Sequence, residues 1–157
     1  MAAAVAAAAG HGIPLLVDPK IPHIDYYAGA TMISPNNQEA ELAVHRRIRS
    51  QDEARDAARL FRDRTRCEGV LMTRGDQGMW LLAGAVEGHL PAAAREVADV
   101  TGAGDTVIAT AALAFGAGAT PVEAARLANQ AAGIVVGRFG PATVGAAELL
   151  RTFEETS

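Results

Sequence analysis

Seven residues have the types and spacing needed to handle a phosphoryl group: Asp99-Val100-Thr101-Gly102-Ala103-Gly104-Asp105, running into an apolar stretch at 106–115. Small glycines at a helix entrance let backbone N–H groups converge on an anion, and the aligned peptide dipoles add partial positive charge there. A carboxylate in the same turn, Asp105, would repel a phosphate that was merely held. It suits a site where a hydroxyl must lose its proton beside the phosphoryl group it attacks. The structural alternative is an acid in the first helical turn, stabilising the dipole after a glycine loop.

Three other segments carry polar or glycine residues after short apolar runs: Asp18-Pro19-Lys20, Asn36-Asn37-Gln38-Glu39 and Thr73-Arg74-Gly75. In open parallel sheets, ligands gather beyond the carboxyl ends of the strands, so convergence of four such segments is informative. Asn36 and Glu39, three apart, either organise Mg²⁺ and its waters near phosphates or form a capping pair at a helix start. Thr73-Arg74-Gly75 followed by Gly78 either lets a nucleotide approach the backbone or makes a hairpin turn. Lys20 either meets a phosphate or is simply solvated. The histidines His11, His23, His45 and His89 have no metal-ligand spacing. Neither a phosphate-binding Gly-x-x-x-x-Gly-Lys-Ser/Thr loop nor a dinucleotide Gly-x-Gly-x-x-Gly turn is present.

The elements that must position these residues follow from periodicity. Residues 2–9 are rich in alanine, the best helix former, and end at Gly10, a natural stop. Apolar runs at 14–17, 31–34 and 70–73 read as buried strands, the first two stopped by proline. Residues 79–82 and 86–90, separated by a turn at Gly84, read as a hairpin. Helices are predicted at 37–45, capped by Asn36, then at 51–66, 104–115, 121–137 and 146–153. Strands alternating with helices imply a mostly parallel sheet covered on both faces. The opening helix leads into a strand with nothing before it, which predicts that preceding sheet elements lie elsewhere.

At 157 residues the chain predicts one domain, 1–157, with a single core. A net charge of −4 argues against a nucleic-acid surface. The short basic run at 45–49 reads as a solvated loop. Residues 107–119 are too few and too interrupted by glycine to span a membrane. One cysteine, Cys67, gives no internal disulfide and reads as a small buried hydrophobe. With no secretory signal at the start, a cytoplasmic protein is expected.

Together these residues resemble a family. Asp99-Val100-Thr101-Gly102-Ala103-Gly104-Asp105 is similar to the carboxyl-terminal signature of the ribokinase-like (PfkB) carbohydrate kinases. Asn36-Asn37-Gln38-Glu39 is similar to that family's Asn-x-x-Glu motif. Thr73-Arg74-Gly75-Asp76-Gln77-Gly78 resembles its nucleotide-side turn, and Leu127-Ala128-Asn129-Gln130-Ala131-Ala132 its adenine-side helix. The resemblance runs from about 15 to 150, and within the family points to the kinase part of the bifunctional heptose enzymes of ADP-heptose synthesis. It implies an α/β, three-layer ribokinase-like fold and transfer of a phosphoryl group from ATP to the anomeric hydroxyl of a heptose 7-phosphate.

On that resemblance, Asp105 is the general base, and the N–H groups of Gly102, Ala103 and Gly104 stabilise the transferred group. Asn36, Asn37, Gln38, Glu39, Thr73, Gly75, Gly78 and Asn129 serve the nucleotide. Glu39 holds Mg²⁺ through water, and Asp99 matches a position implied in K⁺ binding. Family members are about twice as long, and the part without a counterpart here is amino-terminal, including most sugar contacts and a β-lid. The implied partners are a sugar phosphate and either an amino-terminal half or a second copy. Two alternatives stay open: a catalytically silent nucleotide-binding fragment, and a kinase for another sugar or a nucleoside.

Overall fold

The computed structural model describes residues 2–94 and 96–154. The elements run α1 (Ala2–Gly10), β1 (Leu16–Val17), a 3₁₀ segment (Ile21–Tyr27), β2 (Met32–Ile33), α2 (Asn37–Val44), α3 (Gln51–Thr65) and β3 (Gly69–Thr73). A 3₁₀ turn at Gly75–Gln77 leads to β4 (Met79–Ala83), β5 (Val86–Leu90), α4 (Ala103–Gly116), α5 (Pro121–Val136) and α6 (Ala146–Glu154). The strands form one sheet in chain order, β1-β2-β3-β4-β5. The β1–β2 and β2–β3 ladders are parallel; β3–β4 and β4–β5 are antiparallel. The parallel part is therefore confined to one end, and the hairpin expected from Gly84 supplies the other.

Strand side chains alternate between two cores, as the two-residue period of a strand requires. Val70, Met72, Trp80 and Leu82 pack with Ala54, Ala57, Ala58 and Phe61 of α3. Leu71, Met79 and Leu81 pack with Val107 and Ala111 of α4 and Ala125 and Ala128 of α5. This is the expected three-layer arrangement, with helices on both faces of the sheet. Small alanines on the inward helix faces let the helices approach closely, which suits a core with few aromatics.

Helix starts are set locally. Ser50 and Glu53 close a capping box at α3, and Thr120 and Glu123 close another at α5, where Pro121 opens the first turn. β1 and β2 are shorter than their apolar runs, two residues each. Between them the 3₁₀ segment, unforeseen in the sequence, buries Ile24 and Tyr27. The Tyr27 hydroxyl accepts the Lys20 N–H at 3.0 Å and so fixes the exit from β1.

The 45–49 run is not the simple solvated loop expected. Ile48 is buried, its N–H donating to Glu41 at 2.9 Å, while Arg47 pairs with the same carboxylate. One apolar residue inside the basic run anchors it. Cys67 is buried as expected, and burial pushes its thiol pKa up. Among the described residues no helix is long and apolar enough to cross a membrane.

Phe61 is the largest fully buried side chain of the α3 layer. Phe61→Ala is expected to cost about 3–5 kcal/mol of folding stability. The neighbouring exposed Leu60→Ala is expected to cost under about 1 kcal/mol, both read by urea denaturation.

Candidate functional site

The entrance to α4 is built around Gly102, whose φ of +79° is a left-handed conformation that glycine adopts without steric cost. The turn is tightened by the Ala103 N–H donating to the Val100 carbonyl at 3.2 Å. The Thr106 N–H and hydroxyl both donate to the Gly102 carbonyl at 2.9 Å. Ala103, expected among the anion-facing donors, is thus engaged within the turn. Among the described residues, the N–H groups of Gly102, Gly104 and Asp105 have no acceptor. The Asp105 carboxylate is exposed and, among the described residues, has neither a hydrogen bond nor an ion pair.

Asp99 holds this turn in place. One carboxylate oxygen accepts the Thr101 N–H at 2.8 Å, and the other accepts the Gly140 N–H at 3.1 Å, beyond the end of α5. These donors, the Thr101 hydroxyl and N–H first, hold its carboxyl below the usual carboxylate range. Each oxygen thus accepts one backbone N–H, and Asp99 ties the two loops together.

At the start of α2, Asn36 and Glu39 form the capping pair. The Asn36 side-chain oxygen accepts the Glu39 N–H, and the Glu39 carboxylate accepts the Asn36 N–H, each at 2.9 Å. Glu39 stays half-buried at the carboxyl edge of the sheet. Lys20, after β1, pairs with Asp18 at 2.9 Å, and the charges of Glu39 and Asp105 also favour its ammonium form. The ends of β1 and β2 and the entrance of α4 are thereby brought into one electrostatic neighbourhood. No sequence signal distinguished Lys20 from a solvated lysine.

The other candidates divide. Thr73 and Asn36 form a parallel bridge, and the Thr73 N–H donates to the Pro35 carbonyl at 3.0 Å, so those two motifs meet. Gly75, at φ +58°, faces open space. Gly78 does not: a Cβ there would lie 2.1 Å from the Leu90 carbonyl oxygen and 2.6 Å from the Ala92 nitrogen. Asn129 donates its amide to the Pro91 carbonyl at 2.8 Å, gripping the same segment from α5. Gly133, one turn further along, lets Ala93 approach to 3.0 Å from its missing Cβ. Gly78 and Asn129 thus shape the 90–93 segment. Asn37 turns toward Glu41 and the Ile48 carbonyl, both at 3.4 Å. Gln38 borders a shallow groove with Leu42, His45 and Arg46, apart from Gly102 and Asp105.

Arg74, quoted in the sequence only as part of a turn, is the buried cation of the region. It donates to the Gln51 side chain at 2.8 Å, the Gln77 side chain at 2.6 Å and the Ser50 carbonyl at 3.1 Å. It locks the turn after β3 onto the start of α3. Among the described residues no three His, Cys, Asp or Glu side chains gather as a direct metal-ligand set. A divalent cation here would be held through water and phosphate oxygens, with Glu39 as the nearby carboxylate.

Helices on both faces of a five-stranded mixed sheet, with polar loops at the carboxyl ends of its parallel strands, define a ribokinase-like α/β fold. The chain belongs to the pfkB family of carbohydrate kinases, whose family model matches residues 1–147. It is 48% identical over 145 residues to a D-beta-D-heptose 7-phosphate kinase of Bordetella bronchiseptica, covering 92% of this chain and 46% of the relative. It is 43% identical to a bifunctional protein HldE of Granulibacter bethesdensis, covering 93% of this chain and 32% of that protein. The chain thus spans 46% and 32% of these two relatives' length. Phosphofructokinase-2 from Escherichia coli, solved with substrates and products, superimposes with a TM-score of 0.82 at 19% identity, covering 96% and 50% of the two chains. Ribokinase from Arabidopsis thaliana, solved with ribose and ATP, gives 0.80 at 23% identity, covering 94% and 49%.

Two outcomes follow from this geometry. Because folding lowers the Asp99 pKa, its stabilisation is fully present above the unfolded value of about 3.9 and is lost as pH falls through the folded value. Asp99→Asn should therefore destabilise the protein at neutral pH, and its difference from wild type should shrink below about pH 4 in acid-denaturation curves. Gly78→Ala, which forces a side chain into a positive-φ position against backbone, should cost at least about 2 kcal/mol by urea denaturation.

Proposed function

We propose that the chain is the nucleotide-binding part of an ATP-dependent sugar kinase that phosphorylates the anomeric hydroxyl of a heptose 7-phosphate. The observation that carries this reading is the α4 entrance, where the N–H groups of Gly102, Gly104 and Asp105 and the Asp105 carboxylate all lack a partner among the described residues. The heptose phosphate is supported by the 48% identity to a D-beta-D-heptose 7-phosphate kinase.

In this reading Asp105 accepts the proton of the sugar hydroxyl as its oxygen bonds to the γ-phosphorus, and ADP leaves with the electron pair of the broken P–O bond. Gly102 and Gly104 donate to the charge on the transferred group, reinforced by the α4 dipole. Ala103 contributes the turn that aims these donors. Glu39, with one oxygen held by the Asn36 N–H, orders Mg²⁺-bound water through the other. When bound, Mg²⁺ neutralises phosphate charge and orients the phosphates. Thr73 and Gly75 border the nucleotide, while Asn129 and Gly78 set the wall formed by the 90–93 segment. K⁺ at the Asp99 end of the loop rests on the motif resemblance alone.

A coupled ADP-release assay with D-beta-D-heptose 7-phosphate tests the reading. Asp105→Asn is expected to lower kcat by about 10²–10⁴-fold with little change in the KM for ATP. Equal turnover by both proteins would overturn the base. A second reading, a nucleotide-binding fragment silent by itself, is favoured by the chain covering 46% of the heptose kinase. It predicts ATP binding by calorimetry without transfer to any sugar. Turnover of ribose, fructose phosphate or a nucleoside in preference to the heptose phosphate would reassign the acceptor.

A further inference from the structure

We propose that Arg74 is a positioning residue: with Asn37 it fixes the turn at 73–77 and the Glu39 end of α2 to one another through the start of α3. The proposal rests on the reading that these two segments border a nucleotide.

The two segments meet in the parallel bridge between Asn36 and Thr73. The residue after each, Asn37 and Arg74, sends its side chain to the same short stretch of chain. The Asn37 amide donates to the Ile48 carbonyl, while the Arg74 guanidinium donates to the Ser50 carbonyl and the Gln51 side chain. Two further atoms of this pair are buried and, among the described residues, have no partner: Nε of Arg74, a donor, and Oδ1 of Asn37, an acceptor. Orphans of opposite kind, on residues that follow a shared bridge, mark the two side chains as one polar unit, since each can supply what the other lacks.

The turn's own bonds are internal. The Arg74 N–H donates to the Gly78 carbonyl at 2.8 Å, the Gln77 N–H to the Arg74 carbonyl at 3.1 Å, and the Gly78 N–H to the Gly75 carbonyl at 3.0 Å. They set the shape of the turn, whose residues Gly75, Asp76 and Gln77 are exposed. Its attachment to α3 comes from the guanidinium fork. One amino group takes Gln51, and the other takes both the Ser50 carbonyl and, within the turn, Gln77.

This attachment is costly to stability. Arg74 is 4% exposed, every acceptor it bonds is neutral, and it sits at the first turn of α3, the end where the helix dipole disfavours a cation. Glu53 favours its charge without pairing with it. A buried cation with no bonded carboxylate stabilises a fold less well than an apolar side chain of similar size. What the guanidinium adds is geometry: a planar fork holds three acceptors at fixed angles, which neither an ammonium nor an apolar chain can do. That geometry sets Thr73 and Gly75 against Glu39.

Calorimetric titration of this chain with ATP in Mg²⁺, each variant first shown to be folded by circular dichroism, tests the proposal. Arg74→Met is expected to raise the Kd by about tenfold or more. Arg74→Lys, which keeps the charge and loses the fork, should bind no better than Arg74→Met. Asn37→Ala should weaken binding severalfold, and the double variant should lose less than the product of the two single losses. Wild-type affinity in a folded Arg74→Met, restoration by Arg74→Lys, or single losses that multiply would each overturn the proposal. Where Arg74→Met does not fold, Gln51→Ala carries the test: it alters only the α3 side, and should still raise the Kd by about threefold. An unchanged Kd in Gln51→Ala would then overturn the proposal. A wild-type chain that binds no ATP overturns the nucleotide reading and this proposal with it, whereas wild-type binding with unaffected variants overturns this proposal alone.

Discussion

Asp99 sets the geometry on which the α4 entrance depends. Its two oxygens draw the Thr101 and Gly140 N–H groups together, and the turn that follows has little choice of path. Gly102 then takes a positive φ, Ala103 closes onto Val100, and the Gly102, Gly104 and Asp105 N–H groups have no acceptor among the described residues. A carboxylate bonded to backbone at both ends is stiff as well as stable. In the proposed function this stiffness matters, because donors stabilise a transferring group only if they need not reorganise to meet it.

The sheet does the rest of the positioning. Burial on both faces forces its loops to the strand ends, and the parallel ladders send the exits of β1, β2 and β3 to the same edge. Lys20, Asn36 with Glu39, and Thr73 arrive there for that reason, not through contacts with one another in sequence. The antiparallel hairpin runs its last strand back toward the same end, where Gly78, Asn129 and Gly133 hold the 90–93 segment close. One glycine and one asparagine that sequence assigned to a nucleotide thus meet protein backbone first.

Several parts of the site were legible because they are local. Asn36 and Glu39 are three residues apart, so their reciprocal bonding needs only the first turn of α2. The glycine turn into α4 is equally self-contained. Two buried residues that sequence misread or passed over are not set by local pattern. Arg74 is buried because α3, distant in sequence, presents Gln51 and the Ser50 carbonyl to it. Ile48 is buried because α2 and α3 close over it, and a single apolar residue among arginines gives no periodic signal.

The sequence by itself determined the order of strands and helices, their caps, the two-sided burial of the sheet and the signature at 99–105. Each of these is written in spacings of a few residues, where backbone geometry leaves few choices. Only the tertiary structure decided which N–H groups at the α4 entrance lack an acceptor among the described residues, that each Asp99 oxygen accepts a backbone N–H, and that Gly78 faces protein. Those outcomes depend on which segments meet across the fold. Competition for a donor or for a space is settled between residues far apart in the chain, a relation that no local pattern encodes.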